Sequence, residues 1–99
     1  MIDILEYIPV GKKNAISREC LRQMTNLNDR DMRKLISVAR RTTPILNSQD
    51  GIGYYIPADD EKSEVEAFIK QESKRARTIF YNLKGARKWL KEVDKQEQI

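Results

Sequence analysis

Apolar residues recur along this chain with two periods, and the changes between them divide it into elements. "IDILEYI" puts Ile4, Leu5 and Ile8 on one helical face with Ile2 nearby, and "PVGKKN" then ends the helix at Pro9 and Gly11. "AIS" reads as a short extended piece. Ser17 is a good N-cap for a helix from Arg18 to about Thr25, in which Cys20, Leu21 and Met24 have i, i+1, i+4 spacing and are expected to pack inward. "TNLN" follows as a turn, with Asn26 suited to the left-handed backbone region and Leu27 able to reach the core. Asn28 then caps a second helix that runs to about Arg41, and Asp31 three residues on completes a capping-box variant. Two short helices joined through so few residues have helix-turn-helix spacing.

After Arg41 the period changes. "TTPILNSQDGIGYYIP" holds apolar runs at residues 45–46 and 54–56, separated by a polar loop with Asp50-Gly51 and a second glycine at Gly53, which predicts a β-hairpin. From Asp59 onward the pattern is helical again. Val65, Ile69, Glu72, Ala76, Ile79, Leu83, Ala86, Leu90 and Val93 alternate spacings of four and three, a heptad register in which only Glu72 is polar. A continuous helix of about 35 residues would be about 50 Å long and would need a partner. Phe68, Phe80 and Trp89 flank the seam and broaden it. Homodimerisation through Val65, Ile69, Ala76, Ile79, Leu83, Ala86, Leu90 and Val93 is the favoured use of this stripe; a helical hairpin broken at Gly85 is the alternative. The expected fold class is mainly α with a small β-hairpin, organised as a domain over residues 1–58 and a C-terminal amphipathic helix, or helical hairpin, over 59–97.

Charge sharpens the picture at one helix. On a wheel of about 100° per residue, Met32, Leu35, Ile36 and Ala39 share one side of the second helix, and Arg30, Arg33, Lys34, Ser37 and Arg41 point the opposite way with Arg40 at their flank. Asp29 and Asp31 are confined to the first turn, where they suit the positive helix end. An ordinary surface helix mixes signs, so this face calls for an anionic complement. The 99 residues carry a net charge of +4, and residues 1–44 account for all of it. Further on, Lys70, Lys74, Arg77, Lys84, Lys88, Lys91 and Lys95 lie opposite the heptad seam, where a solvated face is the ordinary reading.

Composition removes several function classes. The chain has no histidine, and Cys20 is its sole cysteine, so neither a usual zinc site nor an intramolecular disulfide is expected. Without histidine, a phosphate-binding glycine loop or a pair of carboxylates set for acid–base work, no enzyme and no cofactor are expected. No apolar run is long enough to span a bilayer, and Asp3 and Glu6 sit where a signal peptide wants bases, so a soluble cytoplasmic protein is expected.

In "ISRECLRQMTNLNDRDMRKLI" and "GIGYYIP", and in the order helix, short strand, helix, turn, basic helix, hairpin, residues 2–57 resemble the winged helix-turn-helix DNA-binding domains. The likeness is strongest to the biotin-repressor type and to small phage-encoded regulators. Arg30, Met32 and Arg33 match the Arg-x-apolar-Arg of the family's recognition helix, and Gly53-Tyr54 resembles its returning wing strand. Asn26 stands where the family often has glycine, and Asn47, Ser48, Gln49 and Asp50 supply no basic residue to the wing. The resemblance implies a double-stranded DNA partner and a role as a small transcriptional regulator or a phage or mobile-element DNA-binding factor. It places Arg30, Arg33, Lys34 and Ser37 near base edges in the major groove, Arg40 and Arg41 nearer phosphates, and Arg18, Arg22, Lys12 and Lys13 along the backbone. The competing reading is an interaction scaffold that uses the same domain and helix without reading DNA.

Overall fold

The structure, a computed structural model, describes residues 2–48 and 53–97. It is mainly helical, with a two-stranded antiparallel hairpin and a long, bent C-terminal helix. Two compact units divide the chain, Met1–Glu66 and Ala67–Ile99. The division falls eight residues later than the sequence-based boundary after residue 58, and the reason is local. Glu61 accepts from the backbone N–H groups of Lys12 and Ala58, and Glu64 pairs with Lys12, so the first turn of the C-terminal helix belongs to the N-terminal unit.

The first unit begins with a single 3-10 turn, Ile4–Tyr7, in place of the expected α-helix. Asp3 caps it by accepting from Leu5 N–H, and Pro9 holds the preceding Ile8 in extended backbone, so the turn cannot propagate. Ile4 and Ile8 are nevertheless buried, as their spacing requires. Helix α1, Arg18–Thr25, starts where Ser17 Oγ accepts from Cys20 N–H and ends at Asn26, which adopts φ 57°. Helix α2, Asp29–Ala39, is capped by Asn28 Oδ1, which accepts from Asp31 N–H at 2.8 Å. Beyond Ala39 the chain tightens into turns through Thr43, so Arg41 lies past the helix end.

Strands β1, Leu46–Asn47, and β2, Tyr54–Tyr55, pair antiparallel with Leu46 opposite Tyr55. The Asp50-Gly51 turn that suggested the hairpin lies outside the described residues. On its other side β2 is held by the N-terminal segment. Ile16 exchanges both backbone hydrogen bonds with Tyr54, and Ile56 bonds Pro9 and Gly11 in a parallel bridge. Gly53, at φ +145°, passes so close to Ile16 that a Cβ would overlap the Ile16 carbonyl oxygen. Leu21, Met32, Ile36, Ile4, Ile8 and Ile45 form the core. Each such side chain contributes about 1.5–3 kcal/mol through burial.

The inward stripe of α1 differs from expectation. Leu21 and Thr25 are buried, while Cys20 and Met24 are exposed. Thr25 tolerates burial because its hydroxyl donates to the Leu21 carbonyl at 2.8 Å, and that leaves Cys20 and Met24 on the neighbouring stripe.

In the C-terminal segment, α3 spans Lys62–Asn82 and α4 spans Lys84–Glu97, with only Leu83 between them. The favoured continuous helix is thus interrupted, two residues before the Gly85 at which the alternative placed a break, and the interruption makes a bend, not a hairpin. Leu83 N–H bonds Phe80, three residues back, and the helix resumes with Arg87 N–H on Leu83. Gly85 sits inside the first turn of α4 with open space around it. The apolar seam of the second unit stays uncovered: Ile69, Ile79, Leu83 and Leu90 are exposed, as are Phe80 and Trp89 beside them.

Candidate nucleic-acid interface

The core fixes which way α2 faces. Met32 and Ile36 are fully enclosed, so Arg30, Arg33, Lys34 and Ser37 on the opposite side are exposed, and Arg41 just past the helix is exposed with them. Among the described residues, Arg30, Lys34 and Arg41 make no ion pair. These three are the cations most ready to meet an anion.

Most of the other cations expected at this surface carry local partners. Asp29, at the start of α2, lies between two arginines: Arg18 Nε approaches its Oδ1 at 3.2 Å and Arg33 Nη1 its Oδ2 at 3.9 Å. Both arginine side chains are about two-thirds exposed, so these pairs hold position weakly and open at little cost. Arg22 is drawn to Glu19 at 3.1 Å on its own helix. Lys12 pairs with Glu64 at 3.3 Å, whereas Lys13 is exposed with no ion pair among the described residues.

Arg40 departs furthest from expectation. Its Nε donates to the Ile45 carbonyl at 2.9 Å and its Nη2 to Asn47 Oδ1 at 3.3 Å, so the half-buried guanidinium ties the exit of α2 to β1. On the wheel it borders Ile36, which explains why it turns toward the protein. Its neighbour Arg41 keeps its charge outward.

The hairpin adds polar surface and no cation among its described residues. Ser48 is buried, accepting from Gly53 N–H at 3.1 Å, and Asn47 is exposed. Ser17, Arg18, Glu19, Asn47, Ser48, Gly53 and Tyr54 line a shallow groove between the start of α1 and the hairpin. Compared with protein-family models, curated proteins and solved structures, the chain matches none.

Sequence reasoning missed the part played by Asp29. The Asp29–Arg33 spacing of four was a visible signal, but the approach of Arg18 depends on the turn between α1 and α2. No group of three acidic, cysteine or histidine side chains suited to a metal occurs among the described residues, and no described helix is long and apolar enough to cross a membrane.

Proposed function

We propose that the N-terminal unit is a winged helix-turn-helix domain that binds duplex DNA with α2 in the major groove. The observation that carries this reading is the exposed set Arg30, Lys34 and Arg41, joined by the loosely held Arg33, on a face whose orientation is fixed by Met32 and Ile36. Arg30, Arg33 and Lys34, with Ser37, are the side chains for base edges, and Arg41 and Lys13 are suited to phosphates. Arg18 joins them when Asp29 releases it. The C-terminal seam pairs two chains, so that a dimer presents two such helices to a two-fold-related site. A protein of this kind is a small DNA-binding regulator.

Binding-site selection from random duplexes tests the reading. Arg33→Ala is expected to cost about 1–3 kcal/mol on the selected site and to relax specificity there, whereas Lys88→Ala should change little. If about six phosphates are met per protomer, affinity should fall by orders of magnitude between about 50 and 200 mM salt. Absence of binding to any duplex at low salt would favour the scaffold reading. Equal losses from both substitutions on selected and random duplexes would indicate general polyanion binding.

A further inference from the structure

The exposed seam of the second unit can meet a second copy in two senses, parallel or antiparallel. We propose that the two chains run antiparallel, with Ile79 of each opposite the partner's Leu83. This rests on the dimer reading above and adds the orientation to it.

Glu72 argues against the parallel sense. It holds a core position of the heptad register, so an in-register parallel pair would set Glu72 against the partner's Glu72. Two carboxylates would then share one layer and lose water together. Arg75, 3.2 Å from Glu72 in the single chain, would have to follow them toward the seam. In the antiparallel register each Glu72 instead faces the partner's Leu90, one turn from the partner's Arg87. The carboxylates are separated, and each gains a cation.

The remaining layers fit that register. Ile69 meets the partner's Val93, Ala76 meets the partner's Ala86, and the Ile79–Leu83 layer occurs twice about the two-fold axis. Small residues thus oppose small and large oppose large. The flanking residues discriminate further. The antiparallel sense brings Phe80 to the partner's Phe80 across the axis, an aromatic pair, and Arg75 to the partner's Trp89; the parallel sense would also give Arg75 a ring, the partner's Phe80, so the flank discriminates through Phe80 and Trp89 and not through Arg75. The parallel sense would set Trp89 beside the partner's Asp94, a carboxylate against a π-face. One antiparallel contact is unfavourable, Glu66 near the partner's Asp94. It lies at the end of the overlap, where salt screens it and Lys62 stands 3.8 Å from Glu66.

Disulfide trapping tests the orientation. In a Cys20→Ser background, Ala76→Cys and Ala86→Cys chains of distinguishable mass are mixed, allowed to exchange and equilibrated in a glutathione redox buffer. The mixed disulfide is expected to exceed each self-disulfide by roughly tenfold, the ratio set by about 1.4 kcal/mol. Self-disulfides alone, or no disulfide from a chain that light scattering shows to be dimeric, would overturn the antiparallel pairing and leave the dimer standing. A wild-type monomer at tens of micromolar would overturn the dimer itself.

Discussion

Asp29 lies between Arg18 and Arg33, with its two carboxylate oxygens turned to different helices, 3.2 Å from Arg18 Nε and 3.9 Å from Arg33 Nη1. One acid at the start of α2 thus restrains two of the cations proposed to meet DNA. Asp29→Ala is expected to strengthen binding to random duplex at low salt, because both arginines are released toward phosphate. Discrimination between selected and random duplex should shrink. The helix loses a first-turn acid, so stability should fall by about 0.3–1 kcal/mol. Fluorescence anisotropy on the two duplexes, with urea unfolding alongside, measures both effects. Unchanged affinity on both would show that Arg18 and Arg33 stay off the DNA.

Arg40 and Arg41 are adjacent in sequence and opposite in use. Arg40 is held by the Ile45 carbonyl and Asn47, whereas Arg41 is exposed. Arg40→Ala should therefore destabilise the domain by about 1.5–3 kcal/mol, the range for hydrogen bonds made by a charged group. Arg41→Ala should leave the urea midpoint in place and weaken DNA binding. Loss of affinity from Arg40→Ala at full stability would instead mean that Arg40 contacts DNA.

Among the described glycines, Gly53 has the least freedom to change. A methyl group there would overlap the Ile16 carbonyl, and φ +145° is unfavourable for any residue with a side chain. Gly53→Ala is expected to cost about 3 kcal/mol or more, since the strand cannot retreat without losing both Ile16–Tyr54 hydrogen bonds. Gly85→Ala should do the reverse, adding up to about 1 kcal/mol to the stability of α4. Thermal melts of the two variants, moving in opposite directions, check the pair.

Local chemistry was the legible part of this sequence. Ser17, Asn26 and Asn28 bound their helices through contacts within three or four residues, and each adopts the expected role. The wheel of α2 read correctly from Arg30 to Ala39, because eleven residues carry enough apolar positions to fix one face; Arg40 and Arg41 lie beyond the helix end, and Arg40 does not follow it. Helix α1 has only eight, and its apolar residues left two adjacent stripes open. The choice fell to Leu21 and Thr25 because a threonine can satisfy its hydroxyl on its own helix, which a hydrophobic pattern does not register. Arg40 was illegible for a different reason. Its acceptors lie on the returning β-strand, and only the folded chain brings them within reach.

Leu83 sits at the bend, at the centre of the exposed seam. Ile79, Leu83 and Leu90 remain uncovered in the single chain, and burying such side chains between two chains gives about 1.5–3 kcal/mol each. Leu83→Lys places a charge at the centre of the seam and should yield a monomer by light scattering. The N-terminal unit has its own core and should keep its unfolding transition. That monomer is expected to bind one half of the selected DNA site weakly and to lose the gain from joining two. If Leu83→Lys remained dimeric, pairing would run through another surface; if it unfolded the N-terminal unit as well, the seam would be part of an intramolecular core.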